Sequence, residues 1–411
     1  MEQAIERVWA LAHEPEGPLV PYLDSFAKSL VEQGFKRRVI GPQIRVAAKL
    51  SRWLQAKRIS AADVTYDHVR RFLPKPRFQQ AVTRGDVASL RRLLNFLIHL
   101  GVARTPIPQD EPTPIQTIVV AFASYLREER ELSAATRIQY CPFVERFLSE
   151  RFGNGAVELS ELRAVDVIGF IRRRAADLGS ARAKAATIAL RSFMRYLRYR
   201  GDIQVDLAAA VPTVPNWSMT GIPRAIAPDH VRAVLEHCPR DTAIGRRDYA
   251  ILLLLVRLGL RAGEIVSLTL DSIDWEAGSI AVTGKAGQAA RLPLPVDVGE
   301  SIADYLRHGR PTSGSRALFL RTLAPIRDLG AQQTIATIVN VAIQRAGVDT
   351  PTRGTHQFRH ALAADMLRHG ATLTEIGSLL RHRRSKTTSI YAKVDFVALR
   401  PLCLPWPGDA K

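Results

Sequence analysis

Apolar residues follow two different periods along the chain. Through most of residues 20–103 and 115–203 they recur every three or four positions, which is typical of amphipathic helices packed in bundles. Residues 279–284 (SIAVTG) and 290–295 (ARLPLP) instead alternate and are rich in β-forming residues, on either side of the turn GKAGQA. The pattern predicts a mainly α fold that carries one small antiparallel sheet.

Two proline-rich segments divide the chain into three parts. Residues 104–114 and 211–223 read as linkers, because proline removes an amide donor and disfavours a helix at the preceding residue. We predict a helical bundle over residues 1–103, a second helical bundle over 115–210, and a mixed α/β domain, mostly helical, over 224–411.

The third part opens with further helix signals. Pro228 predicts the first turn of a helix that runs towards Cys238. The run from Ala250 to Leu258 is apolar on nearly all sides, which predicts a buried helix. Helices are expected to resume at about Val298, after the two strands.

The first two parts resemble each other. Aligned pairs of core positions keep offsets of 94, 98 and 100 residues: Trp53 with Phe147, Phe72 with Phe170, and Leu90 with Leu190. A duplication whose loops have drifted in length accounts for these offsets, and chance similarity between two four-helix bundles is the alternative.

The composition and net charge indicate which class of molecule the protein binds. The chain has 411 residues, a length that favours two or three domains, and its net charge is +19. Of the 58 basic residues, 10 are lysine and 48 are arginine. Such a surplus indicates a polyanion, because each neutralised phosphate releases counterions. A GC-rich genome would explain arginine over lysine, but it would not explain basic over acidic residues.

The cysteine spacing, the apolar runs and the first residues indicate in which cellular compartment the protein acts. The three cysteines, Cys141, Cys238 and Cys403, lie far apart without the spacing of a zinc site or a disulfide framework. The longest apolar run is too short to span a bilayer, and the first residues lack the pattern of a signal peptide. We expect a cytoplasmic, nucleoid-associated protein without membrane attachment.

Six residues of the third part are candidates for chemistry. Arg261 directly follows the buried helix, where an arginine needs a partner or a ligand, and a salt bridge to Glu264 is the structural alternative. Lys285 lies in the turn between the predicted strands, where a lysine is usually just solvated. His356 and Arg359 share one helical face, since they are three residues apart.

The remaining two candidates come near the end. Thr372 and Glu375 form a capping-box pattern that predicts a helix ending before Arg381, so His382 falls on the following turn. Tyr391 comes nine residues after His382. Alone, a tyrosine in an amphipathic segment is more often part of a core than a nucleophile.

Together the six residues indicate phosphate-ester chemistry. A protein nucleophile needs a hydroxyl, positive groups over the non-bridging oxygens, and a proton donor for the leaving oxygen. Two arginines, two histidines, a lysine and a tyrosine supply these groups. The sequence lacks the carboxylate cluster that holds magnesium in two-metal nucleases, so we expect neither a metal nor another cofactor.

The ordered set GLRAGE, GKAGQAAR, HQFRH, LLRHRRSKTT and IYAKV resembles the tyrosine recombinase family, which includes phage integrases and Xer-type recombinases. The resemblance covers the third part, and residues 115–203 are similar to the core-binding, SAM-like domain of the family. It implies site-specific DNA recombination, integration or transposition for a mobile element, through a covalent 3′-phosphotyrosine intermediate.

The resemblance also assigns roles to the residues. It implies that Arg261 and Arg359 clamp the scissile phosphate, that Lys285 protonates the leaving 5′ oxygen, and that Tyr391 attacks. His356 and His382 would assist proton transfer and phosphate binding. The turn GKAGQAAR lacks the second lysine that is usual in the family, which puts the hairpin's contacts with DNA in question.

The implied partners follow from the same resemblance. They are double-stranded DNA with inverted-repeat core sites, three further copies of the chain in a tetramer on DNA, and partner recombinases. The segment after Tyr391 would dock on a neighbouring protomer or pack on its own domain. Residues 1–103 lie outside the minimal family plan, and are expected to bind arm-type sites or to lengthen the clamp on DNA.

Two other readings stay open on the sequence. A type IB topoisomerase shares the chemistry but relaxes supercoils as a monomer. A DNA-binding accessory protein could keep the fold without activity.

Overall fold

The computed structural model describes residues 14–73, 84–104, 112–153, 155–213, 222–284, 287, 289–382 and 384–394. Both proposed linkers, 104–114 and 211–223, lie largely outside these residues. Residues 105–220 form one compact unit, and residues 1–104 together with 221–411 form another. The fold is mainly helical with one small antiparallel sheet, which confirms the predicted class.

The first bundle packs four helices around a core of its own. Their apolar faces meet in a cluster that runs from Leu19 to Ala103 and includes Phe26, Leu50 and Leu94. The helices are α1 (Val20–Glu32), α2 (Arg37–Ala56), α3 (Tyr66–Phe72) and α4 (Arg84–His99).

The second bundle repeats this plan in the other compact unit. Its core contains Phe122, Phe147, Phe170 and Phe193, all buried. The first helix begins at Pro114, and the Thr113 hydroxyl caps it by accepting a hydrogen bond from the Gln116 amide at 3.2 Å. The helices are α5 (Pro114–Glu128), α6 (Ala134–Phe152), α7 (Ala164–Asp177) and α8 (Ser180–Arg200).

Matched residues make matched contacts in the two bundles. The rings of Trp53 and Phe72 lie 6.0 Å apart, and those of their counterparts Phe147 and Phe170 lie 5.4 Å apart, both edge to face. The internal prolines of the second helices, Pro42 in α2 and Pro142 in α6, do not correspond, because they are 100 residues apart whereas Trp53 and Phe147 on the same helices are 94 apart. The matched ring contact agrees with a duplication, which stays a prediction.

The first bundle contacts the third part of the chain through a loop. Residues 320–328 form a hairpin-like turn, in which Leu320 pairs with Asp328, and the Ile326 amide donates to the Gln33 carbonyl at 2.9 Å. Gly34 has a φ of +82°, and a Cβ at this position would lie 2.5 Å from Cγ1 of Ile326. Only glycine therefore permits this close approach.

The third part is built around a helix that is buried as predicted. Helix α10 (Ala243–Arg257) follows α9 (Pro228–Glu236), and its run from Ala250 to Leu255 is fully enclosed. Strands β1 (Ile273–Asp274), β2 (Ser279–Thr283) and β3 (Ala289–Pro293) form the sheet in that order, with Ala281 opposite Arg291. The sequence predicted β2 and β3 but missed β1.

Six further α-helices follow in the described residues of the third part. They are α11 (Ala262–Val266), α12 (Val296–His308), α13 (Gln332–Ala346), α14 (His356–Arg368), α15 (Leu373–Leu379) and α16 (Ser385–Thr388). Three of them, α12, α13 and α14, pack on α10. Short 3-10 helices cover Ala61–Asp63, Leu159–Glu161, Leu270–Ser272 and Ser389–Val394. Of the helices in the described ranges, none is long and apolar enough to cross a membrane.

Candidate active site

A tight turn places Arg261 beside the buried helix. Gly259, with a φ of +54°, sits so close to Leu380 that a Cβ would lie 2.9 Å from Cδ2 of that leucine. The chain then enters α11, and the amide of its N-cap residue, Arg261, donates to the Glu264 carboxylate at 2.8 Å. The Arg261 side chain keeps about a third of its surface exposed (34%), so it remains accessible to a ligand.

Glu264 joins two arginines in the interior. Its carboxylate accepts from Nη1 of Arg261 at 2.7 Å and from Nη2 of Arg381 at 2.9 Å, and its side chain is 3% exposed. Burial raises the pKa of Glu264, but the hydrogen bonds and charges of Arg261 and Arg381 outweigh it, so the pKa is lowered. The salt bridge considered as the structural alternative for Arg261 is therefore present, and it holds the arginine in place.

Arg359 lies on the inward face of α14 and is 4% exposed. Its Nη1 donates to the carbonyl of Gly259 at 2.5 Å, and its Nη2 donates to the carbonyl of Leu380. It thus ties together the turn before Arg261 and the turn before His382. Burial and the neighbouring charges of Arg261 and Arg381 lower the pKa of Arg359 to about 9, so the guanidinium stays charged at neutral pH.

The turn after α15 carries Arg381 and His382. The predicted capping box is present, since the Thr372 hydroxyl accepts from the Glu375 amide and the carboxylate accepts from the Thr372 amide. Arg381 adopts a φ of +55°, a left-handed conformation that is strained for arginine. Nδ1 of His382 lies 2.8 Å from the Thr388 hydroxyl, which fixes the ring.

Tyr391 lies in the 3-10 helix Ser389–Val394 and is 1% exposed, packed with Ala363, Ile376 and Leu380. Its ring is parallel to that of His382, with the ring centres 6.4 Å apart. Burial raises the pKa of Tyr391, while the charges of Arg359 and Arg261 lower it in part. The tyrosine is therefore both a core residue and a neighbour of the two arginines.

A histidine that the sequence reasoning did not select contacts the Tyr391 hydroxyl. Nδ1 of His360 lies 3.0 Å from Oη of Tyr391, across 31 residues of sequence. His360 directly follows Arg359 on α14, and its ring centre is 6.5 Å from that of His356. One helix thus presents His356, Arg359 and His360 to the site.

All three histidines of the site are neutral at neutral pH. Burial, followed by the charges of nearby arginines, lowers the pKa of His356 and that of His382, the latter to about 4. Burial, followed by His356 and Arg359, lowers the pKa of His360. These rings can accept protons or donate one hydrogen bond each, whereas the positive charge of the site comes from the arginines.

The structure brings together five of the six residues selected from the sequence: Arg261, His356, Arg359, His382 and Tyr391. The sixth, Lys285, lies outside the described residues, between β2 and β3 in the sequence. The sequence reasoning missed Arg381 and His360, and treated Glu264 only as a salt-bridge partner. The adjacency of His360 to Arg359 was the one available signal, because the contacts of both missed residues are long-range.

The arrangement suits chemistry on a phosphodiester. A hydroxyl lies among charged guanidiniums that are aimed by buried contacts, which is the requirement for stabilising a negatively charged transition state. The neutral imidazole that contacts this hydroxyl is suited to proton transfer.

Comparison with known proteins places this geometry in a family. Residues 224–397 match the phage integrase family, and residues 119–201 match the SAM-like N-terminal domain of phage integrases. The "Putative integrase/recombinase y4rA" of Sinorhizobium fredii is 49% identical over 412 residues, which span 100% of both chains. This match therefore includes the first bundle.

A second relative supports the same family, and a solved structure shares the fold. The tyrosine recombinase XerD of Mycobacterium tuberculosis is 30% identical over 305 residues, covering 70% of this chain and 95% of the relative. The XerH site-specific recombinase, bound to a palindromic difH substrate in a post-cleavage complex, has a TM-score of 0.57 at 16% identity and covers 72% of this chain and 97% of its own. This structural likeness shows a shared fold.

Proposed function

The chain belongs to the phage integrase family of tyrosine recombinases, and we propose that it is a site-specific recombinase of a mobile element that cuts and rejoins DNA through a 3′-phosphotyrosine at Tyr391. The observation that carries this proposal is the placement of the Tyr391 hydroxyl beside Arg359, Arg261 and a neutral imidazole. A phosphotyrosine stores the energy of the broken bond, so rejoining needs no other energy source.

Position in the structure supports the proposed roles of the described residues, whereas the family resemblance supplies that of Lys285, which lies outside them. Arg261 and Arg359 clamp the non-bridging oxygens, with Arg261 as the more exposed of the two. His356 and His382, both neutral, donate hydrogen bonds to the phosphate. Lys285 protonates the leaving 5′ oxygen. Because Tyr391 is buried, its segment must shift when a phosphate enters the site.

The proposed substrate is double-stranded DNA with inverted-repeat core sites, acted on within the nucleoid. Exchange between two duplexes breaks four strands, and a protomer with one nucleophile breaks one, so we propose a tetramer of this chain on two sites. The XerH relative bound to a palindromic substrate is consistent with such sites. Partner recombinases and a docking role for the segment after Tyr391, outside the described residues, belong to the same proposal.

We propose that residues 1–103 add a second DNA-binding bundle. Their likeness to the second bundle supports this role, since the matched residues make the same core contacts. The bundle contacts the third part at Gln33 and Gly34, so it would bind DNA as one body with residues 221–394. Arm-type sites, or a longer footprint beside the core site, would both suit such a bundle.

Strand exchange between two duplexes tests the proposed function. The substrate is a site selected from a random duplex pool by its binding to the protein, placed on two plasmids of different size. We expect recombinant plasmids of the summed length, formed in EDTA as well as in magnesium. Relaxation of a supercoiled plasmid without any exchange would favour the type IB topoisomerase reading, and binding without cleavage would favour the accessory protein.

A further inference from the structure

The hydrogen bond between Tyr391 and His360 connects the proposed nucleophile to the helix that carries the phosphate clamp. Oη of Tyr391 and Nδ1 of His360 are 3.0 Å apart, which is within the range of a hydrogen bond. The two rings lie edge to face, with centres 5.7 Å apart. The imidazole therefore points its nitrogen at the hydroxyl, a geometry that permits transfer of the hydroxyl proton.

We propose that His360 is a catalytic residue, the base that removes the proton from the Tyr391 hydroxyl as this oxygen attacks the scissile phosphate. This inference rests on the proposed function. The family resemblance gives proton transfer in general to His356 and His382, but the histidine that contacts the Tyr391 hydroxyl is His360. Arginines hold the phosphate and a lysine serves the leaving group, but neither group removes the tyrosine proton.

The proton balance closes if the leaving oxygen is protonated by Lys285, the acid that the family resemblance assigns and that lies outside the described residues. Oη of Tyr391 forms a bond to phosphorus while its proton passes to Nδ1 of His360, and the bond from phosphorus to the 5′ oxygen breaks as Lys285 donates a proton to that oxygen. In rejoining, the 5′ hydroxyl gives its proton to Lys285 and attacks phosphorus, and the imidazolium returns its proton to the tyrosine oxygen. Both groups recover their first state.

The surroundings of His360 favour the state that a base requires. The groups that face it are His356 and Arg359 from its own helix, and Tyr391 and His382 from the segments packed against that helix. Burial and the neighbouring charge keep the ring neutral, with its pKa below the ordinary value. A neutral ring with its proton on Nε2 can accept the tyrosine proton through Nδ1. The positive charge of Arg359 beside it disfavours protonation of the ring before the attack.

Of the two histidines whose rings lie beside that of Tyr391, His382 is the less suited to this step. The ring of His382 is parallel to that of Tyr391, with an angle of 8° between the planes and 6.4 Å between the ring centres. Its Nδ1 is already bonded to the Thr388 hydroxyl. Among the described residues, the hydrogen bond recorded at Oη of Tyr391 is made with His360.

The experiment compares His360→Asn with a matched control, His369→Asn, at the exposed end of the same helix. Asparagine keeps a polar atom near the position of Nδ1 but cannot take a proton. Single-turnover cleavage is measured on a nicked suicide duplex carrying the selected site. We expect a loss of about 10² to 10⁴-fold for His360→Asn, with DNA affinity unchanged, and the wild-type rate for His369→Asn.

A substrate with sulfur in place of the 5′ bridging oxygen distinguishes a residue that takes the tyrosine proton from one that protonates the leaving group. A thiolate leaves without a proton, so Lys285→Ala should recover its rate on this substrate, whereas His360→Asn should stay slow. The inference would be overturned if His360→Asn cleaved the ordinary substrate at the wild-type rate or faster. It would also be overturned if His360→Asn regained the wild-type rate on the sulfur substrate. If His360→Asn does not fold, His360→Gln is judged by the same criteria. Failure of the proposed function would differ, because the wild-type protein would then form no adduct.

Discussion

Glu264→Gln is the substitution that most directly challenges the buried network of the site. It changes one oxygen to an amide nitrogen and leaves the shape of the side chain almost unchanged. The carboxylate accepts three hydrogen bonds, from the Arg261 amide, from the Arg261 guanidinium and from Arg381. Glutamine can keep the hydrogen bonds that its one remaining oxygen accepts, but its NH2 group must then face a guanidinium. Both arginines also lose the negative charge that balances theirs.

The magnitude follows from the burial of the pair. The side chain of Glu264 is 3% exposed and that of Arg381 is 13% exposed, so solvent screens their interaction weakly. Removing one partner of a buried ion pair costs about 3 to 5 kcal/mol, and we expect about 3 kcal/mol because part of the hydrogen bonding survives. For a domain of this size that corresponds to a fall in Tm of roughly 6 to 12 °C.

Thermal and urea unfolding measure this loss, with Glu300→Gln, an exposed position on α12, as the matched control. The pH dependence gives an independent check. The pKa of Glu264 lies below its ordinary value of 4.5, so its contribution is present above pH 4.5 and is lost as the pH falls through the lower folded value. A Glu264→Gln protein as stable as the control at pH 7 would refute the reasoning.

Three further predictions concern the arginines and the first bundle. Arg381→Gly should relieve about 1 kcal/mol of left-handed strain but remove the partner of Glu264, for a net loss of about 2 kcal/mol in urea unfolding, and unchanged stability would contradict it. Arg359→Lys keeps the charge but cannot reach the carbonyls of Gly259 and Leu380 together, so single-turnover cleavage should slow by about 10² to 10³-fold at nearly constant DNA affinity, whereas a wild-type rate would remove Arg359 from the clamp. Deleting residues 1–103 should shorten the nuclease footprint and weaken DNA binding, and an unchanged footprint would indicate a protein-contact role instead.

Local signals in the sequence were sufficient for much of the fold. The apolar run from Ala250 predicted the buried helix α10, the Thr372 and Glu375 pattern predicted the start of α15, and alternation predicted β2 and β3. Strand β1 was missed because it is two residues long, which is too short for any period to show. Each success depended on residues within one or two turns of each other.

The contacts that assemble the site were beyond such signals. Arg381 and Glu264 are 117 residues apart, and His360 and Tyr391 are 31 apart, so their pairing depends on how α11, α14 and α15 pack. The left-handed conformation of Arg381 also contradicts what its residue type favours. The family resemblance assigned Arg261, Arg359 and Tyr391 to the site, whereas the groups that position them were found only in the structure.

Peptide mapping of the covalent protein–DNA adduct tests the central claim most directly. The protein is incubated with the nicked suicide duplex in EDTA, the trapped adduct is digested with trypsin and a nuclease, and the modified peptide is sequenced by mass spectrometry. We predict a nucleotide linked through its 3′ phosphate to Tyr391, and no adduct from Tyr391→Phe although that variant still binds the duplex. An adduct on another residue, or one that persists in Tyr391→Phe, would contradict the account.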